Sequence, residues 1–305
     1  MAHAHEGHDH GIEVGAGRRG ALAGALAVTL AYTIVEVVGG LLTGSLALLS
    51  DAGHMITDNV SLALALFAVW LAAKPASPQR SFGFRRAEVL AALANGVTLV
   101  AVAIWIFIEA AKRIASPEPV LGGWMLVIAV IGLAVNVGAA LLLRSQRRES
   151  INVEAAFRHV LGDLVGSLGT IVAAAIIVTT GWTYADPVVS ILIGILILLG
   201  SWAILRDSVA ILMEHAPPGI DVETVAARIV EQPGVVGVHD LHVWIITTGF
   251  PAIAAHVTCE ADADTQVCRK GIEEMLRDDF GITHATLQME EDGSEPICTL
   301  LQCGR

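Results

Sequence analysis

Charge is scarce in this sequence of 305 residues: Asp, Glu, Lys and Arg make up 16%, while apolar residues make up 54%. Soluble domains carry about 25% charged residues, so the balance is that of a chain that spends much of its length in a bilayer. Basic residues are scarcest toward the C-terminus, where five Lys/Arg stand against fifteen Asp/Glu from Pro217 onward. Such an acidic part argues against nucleic acid as a partner and is compatible with attracting cations. Cysteine is rare as well. Cys259, Cys268, Cys298 and Cys303 all fall in that acidic part, which the topology argued below puts in the cytosol, where thiols stay reduced and no disulfide is expected. The N-terminus lacks a signal peptide's order of basic residues, apolar core and small-residue cleavage site, so none is expected. Neither HExxH nor GxSxG occurs, which removes the usual zinc-hydrolase and serine-hydrolase signatures.

What the sequence does have is long apolar runs. Six stretches, near 20–42, 47–72, 87–111, 121–143, 153–179 and 185–206, are each long enough to cross about 30 Å of hydrocarbon as a helix. Thr43-Gly44-Ser45 is a tight link between the first two, and Asp186-Pro187 opens the sixth, with proline suited to a helix's first turn. On the side of the N-terminus lie Arg18, Arg19, Lys74, Arg80, Arg85, Arg86, Arg144, Arg147, Arg148, Arg158 and Arg206; the other side has Lys112 and Arg113. The positive-inside rule then makes both termini cytoplasmic.

Two of these apolar stretches carry the same motif. His54 precedes Asp58 by four residues, and His159 precedes Asp163 by four. Residues four apart share a helix face, so in one bundle His54, Asp58, His159 and Asp163 can converge. Two imidazoles and two carboxylates form a tetrahedral set suited to Zn²⁺. A lone HxxxD in a soluble helix is usually a surface pair. In a bilayer a charged side chain costs about 2.5–3.5 kcal/mol and persists where it has a partner or a function. Glu36, Asn95, Glu109 and Asn136 are also polar within apolar stretches; Glu36 and Asn95 suit the lining of a water-filled path, Glu109 an interface, and none is expected to be a ligand.

Four segments organise the chain: a His-rich tail over 1–16, a transport domain of six spans over 17–212, a soluble domain over 213–291 and a tail over 292–305. The first segment is disordered by composition, and serves either as a weak metal gatherer or as a mere soluble extension. Pro217-Pro218-Gly219 ends the last span. Beyond it the pattern predicts a helix over 221–232, strands over 235–246 and 251–260, a helix over 264–280 and a strand over 284–290, an αββαβ order that implies helices on one face of a sheet. His239, His256 and Glu290 at strand ends are candidates for a second metal site, while His239 and His242, three apart on a strand, are expected to face opposite sides. Cys298 and Cys303 are spaced more widely than the usual C-x₂₋₄-C metal pair.

The run from Ser45 through His54 to Asp58, the run Phe82-Gly83-Phe84-Arg85-Arg86-Ala87-Glu88-Val89-Leu90, His159-Val160-Leu161-Gly162-Asp163, Asp186-Pro187 and His239-Asp240-Leu241-His242-Val243-Trp244 resemble the cation diffusion facilitator family, in particular its bacterial zinc-efflux branch. The resemblance implies a homodimeric, proton-coupled antiporter of the cell inner membrane, with six transmembrane helices and a C-terminal cytoplasmic ferredoxin-like domain that helps dimerisation. It implies that His54, Asp58, His159 and Asp163 form the transport site, and that Arg86 and Glu214 form a charge pair between the membrane helices and the soluble domain. Members with Asp in place of the first His tend toward manganese, so His54 and His159 favour Zn²⁺, with Cd²⁺, Co²⁺ or Ni²⁺ as companions. The loop 74–86 has neither His nor Asp, so the metal site some relatives hold there is not expected. The His-rich loop that some eukaryotic members carry between spans four and five is missing too. Gln288 stands where certain relatives place His, which leaves the ligand set of the cytoplasmic site open. No organic cofactor is expected, and Zn²⁺ is both cargo and a structural or regulatory ligand. Two rivals remain: an intramembrane metalloenzyme, which needs an open coordination position, and a sensor that binds metal without moving it.

Overall fold

In the absence of water, every backbone N–H and C=O inside hydrocarbon must be satisfied within its own segment, which makes the apolar runs helical. A computed structural model describes the backbone of residues 16–144 and 151–291 and the side chains of 27–61, 63–142, 157 and 160–291. Six long helices come first: α1 (Ala16–Thr43), α2 (Leu46–Ala72), α3 (Ala87–Ala115), α4 (Gly122–Arg144), α5 (Ile151–Thr180) and α6 (Ala185–Leu212). Five of them hold stretches long and apolar enough to cross a membrane, and the described part of α1, Ala27–Thr43, is shorter and apolar. Leu66, Trp70, Leu199 and Trp202 are among many large apolar side chains left exposed on these helices, as lipid-facing positions should be. The chain is a multi-pass membrane protein.

Contacts divide the chain into two units, one of Met1–Val60 with Thr98–Gly200 and one of Ser61–Val97 with Ser201–Arg305. In the first unit, helices approach closely where small residues let them. A β-carbon built on Gly132 would lie 2.0 Å from Tyr32 Oη, and one on Gly194 would lie 2.7 Å from the Phe107 ring. Tyr32 Oη donates to the Ile128 carbonyl at 3.0 Å, tying α1 to α4. Asn136 Nδ2 donates to Ser167 Oγ at 3.2 Å, tying α4 to α5. At the α1–α2 hairpin Gly44 takes φ +70°, a conformation open to glycine without strain. Asp186, fully buried at the start of α6, accepts from Ser45 Oγ (2.6 Å), Leu46 N (2.7 Å) and Ala47 N (3.1 Å), closing the first turn of α2.

The second unit contains the soluble domain: α7 (Val222–Val230), β1 (Val235–Thr247), β2 (Phe250–Cys259), α8 (Thr265–Phe280) and β3 (His284–Glu291). Asp221 caps α7 by accepting from Thr224 N at 3.1 Å. Asp264 caps α8, which ends on Gly281 at φ +67°, the left-handed C-cap that glycine favours. The sheet runs in the order β1-β2-β3. β1 and β2 are antiparallel and β2 and β3 parallel, so the latter pair needs a crossover, which α8 supplies. Ile229 of α7, Ile272 and Leu276 of α8 and Ile253 and Val257 of β2 form one buried core. Both helices therefore cover one face of the sheet, and His256, Gln288 and Glu290 fall on the other by register.

Two expectations are corrected. In β1, His239 pairs with His256 but His242 pairs with Ala254, three residues against two. The extra residue is a β-bulge, with Asp240 at φ +48°, and it returns His242 to the face of His239 instead of the opposite one. In α6, the helix stops at Leu212, not at the prolines. Glu214 adopts φ +58°, His215 N donates to Ala210 O at 3.0 Å and Glu214 N to Ile211 O at 3.2 Å. These are the two hydrogen bonds of a Schellman C-cap with glutamate in the place usually taken by glycine.

Candidate metal centre

On α2, one helical turn separates His54 from Asp58, and their side chains meet as the spacing requires: Nε2 to Oδ2 is 3.4 Å. Asp163 of α5 comes to the same imidazole, with Oδ1 4.0 Å from Nε2. Asp163 is buried, with a side-chain exposure of 3%, while His54 and Asp58 are about a quarter exposed at 25% and 26%. One carboxylate is thus buried and the two other groups are partly accessible. His159 lies on α5, one turn before Asp163; its side chain is outside the described residues.

Other polar groups of the helices sort by their partners. Asn95 Oδ1 accepts from Ser61, Glu109 pairs with Lys112 (3.2 Å) and Arg113 (3.5 Å), and Asn136 is buried against Ser167. Glu36 is 1% exposed and so enclosed by protein. Asp51, one turn before His54 and 4% exposed, is a buried carboxylate that the HxxxD reading passed over. Its own position three residues before His54 was the available signal.

A second cluster stands in the soluble domain. His239 of β1, His256 of β2 and Glu290 of β3 each bring one ligand atom to within 4.8 Å of the others. His256 Nδ1 is 2.8 Å from Glu290 Oε1 and His239 Nε2 is 3.3 Å from Glu290 Oε2. Cross-strand pairing of His239 with His256 puts their ring centroids 5.2 Å apart. Gln288 Nε2 donates to Glu290 Oε1 at 2.9 Å, steadying that carboxylate. The bulge residue Asp240 reaches His256 (3.8 Å) and His242 (3.0 Å). Two neutral imidazoles and a carboxylate are ligands that suit Zn²⁺. Cys259 and Cys268 are buried free thiols away from this face; Cys298 and Cys303 lie outside the described residues.

The run of apolar helices and the small α+β domain each match a known domain family. A model of the cation efflux transmembrane domain matches residues 22–213, and a model of the cation efflux protein cytoplasmic domain matches residues 217–292. The chain belongs to the cation efflux family, the cation diffusion facilitators. Zinc transporter ZitB of Escherichia coli is 44% identical over 293 residues, covering 95% of this chain and 93% of its own. The cadmium, cobalt and zinc/H(+)-K(+) antiporter of Bacillus velezensis is 41% identical over 289 residues, 93% of this chain and 92% of its own. The solved metal-bound C-terminal domain of the CzcD transporter from Cupriavidus metallidurans matches 23% of this chain and 99% of its own at 35% identity, with a TM-score of 0.23. This is a family of transporters, and the chain is a transporter rather than an enzyme.

The charge pair that the family resemblance implied has a simple geometry in this member. Arg86 Nη2 stands 3.0 Å from Glu214 Oε1, with side-chain exposures of 41% and 61%. The Schellman cap described above aims Glu214 at Arg86, and a pair this exposed is worth about 0–1 kcal/mol. At that strength it should orient a helix end rather than lock one.

Proposed function

We propose that this chain exports Zn²⁺ across the cytoplasmic membrane in exchange for protons, through a site built from His54, Asp58, His159 and Asp163. The observation that carries the reading is the approach of His54 to both Asp58 (3.4 Å) and the buried Asp163 (4.0 Å) on two different helices. Two imidazoles and two carboxylates give a tetrahedral, closed shell, with no position left for a catalytic water. The names of the relatives support zinc as cargo with cadmium and cobalt beside it, and borderline imidazole ligands accept nickel as well. Metal binding needs neutral His and ionised Asp, so loading the ion expels protons and unloading it invites them back. Imidazole, with an unperturbed pKa of about 6.5, is suited to that exchange near neutral pH. The excess of Arg and Lys on one side supports an inner-membrane orientation with both termini cytoplasmic. The match to a dimerisation-type cytoplasmic domain supports a homodimer, in which His239, His256 and Glu290 hold a further Zn²⁺ as a structural or regulatory ligand. The acidic soluble domain gives nucleic acid no surface.

The test is Zn²⁺-dependent proton flux in proteoliposomes, run with and without K⁺ because one relative's name includes that ion. Wild-type protein should acidify or alkalinise the lumen only when Zn²⁺ moves, and labelled Zn²⁺ should show counterflow, which a sensor cannot produce. Asp163→Ala should abolish both while the protein stays dimeric; transport near the wild-type rate in that variant would sink the site.

A further inference from the structure

The segment between α2 and α3 is basic in an acidic chain. Residues 74–86 contain Lys74, Arg80, Arg85 and Arg86 and no carboxylate, whereas the whole chain carries a net charge of −12. The segment is folded. Ser77 and Arg80 exchange backbone hydrogen bonds (3.1 and 2.9 Å), and Gly83 N donates to Arg80 O at 2.8 Å. Gly83 sits at φ +64°, which a side chain would resist. Its cations are held over aromatic faces: Lys74 Nζ lies 4.1 Å from the Trp70 ring centroid, Arg80 4.4 Å from Phe84 and Arg85 4.4 Å from Phe250. Arg86 pairs with Glu214. Among the described residues no carboxylate lies within ion-pair distance of Lys74, Arg80 or Arg85.

These cations border two adjoining hollows. One, of about 1020 Å³, is lined by Gln79, Arg80, Arg85 and Arg86, with His242 and Trp244 of β1 opposite. Among the described residues its only acidic lining residue is Glu214, the one already paired to Arg86. The other, of about 510 Å³, has Lys74 and Arg85 on one side and Phe250 and His284 on the other. Ser81, Phe82, Gly83 and Arg85 belong to both. Phe82 is 43% exposed and stacks edge-on against His284 at 5.4 Å, so the shared wall is an aromatic ring with open surface.

We infer that this basic hollow binds the phosphate of an anionic lipid headgroup. Uncompensated guanidinium groups with planar forks of donors match phosphate oxygens bidentately, and cavities of several hundred to about 1,000 Å³ suit an organic ligand rather than a bare ion. The surface beside it selects lipid over soluble phosphate. Leu66, Phe67 and Trp70 on the last turns of α2 and Leu90 on the first turn of α3 are more than half exposed, at 65%, 56%, 57% and 54%. Trp70 under Lys74 is the aromatic-cation pairing of a membrane interface. Acyl chains lying on that apolar surface would leave their headgroup at the Arg80–Arg85 wall, with exposed Phe82 against the glycerol. None of these residues is shared with the His54 site or with the His239 cluster.

The test titrates full-length protein in uncharged detergent with short-chain phosphatidylglycerol, phosphatidylcholine and inorganic phosphate, reading bound lipid by native mass spectrometry and the shift in melting temperature. Phosphatidylglycerol should bind and stabilise where phosphatidylcholine does not. Arg80→Gln should weaken it about fivefold and Arg80→Gln with Arg85→Gln about thirtyfold, since each basic residue near an anionic lipid contributes about a fivefold factor. The single Arg80→Gln variant, at an exposed position, serves if the double variant fails to fold. Lys112→Gln, which removes an exposed cation on α3 far along the chain from this segment, should change nothing. Equal weakening by Lys112→Gln, or none by the Arg variants, would overturn the site. Inorganic phosphate that protects in an Arg80-dependent way, with no preference for phosphatidylglycerol over phosphatidylcholine, would overturn the lipid assignment.

Discussion

Replacing Asp186 by asparagine should destabilise the helix bundle more than any change at an exposed ion pair. Its Oδ1 accepts from Ser45 Oγ and Ala47 N, and its Oδ2 accepts from Leu46 N at 2.7 Å and lies 3.6 Å from Arg113 Nη1. Asparagine keeps the shape but can offer an oxygen at only one of those two places. With its oxygen toward Ser45, the amide turns N–H groups toward the N–H of Leu46, a residue with 0% exposure. The loss is then one charge-assisted hydrogen bond, about 1.5–3 kcal/mol, plus a buried donor left unsatisfied, about 1–3 kcal/mol. Breaking a buried charge pair by removing one partner costs about 3–5 kcal/mol in general, a range that falls within that sum. At roughly 2–4 °C per kcal/mol for a chain of this size class, Asp186→Asn should melt on the order of 10 °C below wild type in detergent, followed by size-exclusion fluorescence after heating. Ser45→Ala leaves both backbone donors on Asp186 and removes one hydroxyl, an N-cap loss of about 1 kcal/mol and so only a few degrees. An Asp186→Asn protein melting within about 2 °C of wild type, or above Ser45→Ala, would refute the reasoning, because the carboxylate would then be dispensable to the α2 start.

Three further outcomes are expected. Glu290→Gln, made in an Asp163→Ala background so that only the soluble cluster is counted, should lower Zn²⁺ affinity by more than the roughly 10–100-fold typical of losing a supporting group, measured by equilibrium dialysis; unchanged affinity would separate His239 and His256 from any metal. Charge reversal at Arg86 and Glu214, singly and together, should give a coupling energy below about 1 kcal/mol that falls further in high salt, and Glu214→Gly should raise the melting temperature by relieving its left-handed backbone; a coupling of several kcal/mol would restore a locking role. Burial, with Cys268 as the next contributor, pushes the Cys259 thiol up to about 11. Its folded value thus exceeds its unfolded one, so the stability it contributes is fully present below pH 9 and is lost as pH rises toward 11. Peptide mapping should find Cys259 unalkylated by iodoacetamide at pH 8 in native protein and alkylated once unfolded.

Periodicity made the helices and the meeting of His54 with Asp58 legible, because a spacing of four on a helix fixes a shared face whatever surrounds it. The soluble domain was legible in the same local way, from alternating strands and from Asp221 and Asp264 at helix starts. What escaped depends on a single backbone conformation or on a distant partner. Strand alternation sets His239 and His242 on opposite faces, and one residue, Asp240, reverses that by taking a left-handed conformation that Asp tolerates better than most. Pro217 looked like the end of α6, yet Glu214 had already ended it. Asp186 read as the polar neighbour of a helix-starting proline; its partners lie about 140 residues earlier, beyond any local pattern.

The carboxylates of the helices divide by what stands beside them, and the division bears on the proposed exchange. Asp186 is answered by three donors and the Arg113 guanidinium, groups that cannot leave, so it is built in. Asp58 and Asp163 approach the His54 imidazole, a side chain of the kind that can carry either a proton or a metal ion. An ionised carboxylate near the middle of a bilayer costs about 2.5–3.5 kcal/mol unless a cation accompanies it. If the proposed site holds Zn²⁺, its departure would take a shared counter-ion from both carboxylates, and a carrier that turned back in that state would bear the cost twice. Protons taken up by the ligands would remove that cost. On the proposed exchange, protons would take the place of the departed ion for the return step. A fixed cation in place of His54 should therefore stop the exchange altogether. His54→Lys places a permanent ammonium one turn from Asp58, and should abolish Zn²⁺ binding while leaving the fold intact. If that variant still moved Zn²⁺ against a proton gradient, neutralisation of these carboxylates would not be what couples the two ions.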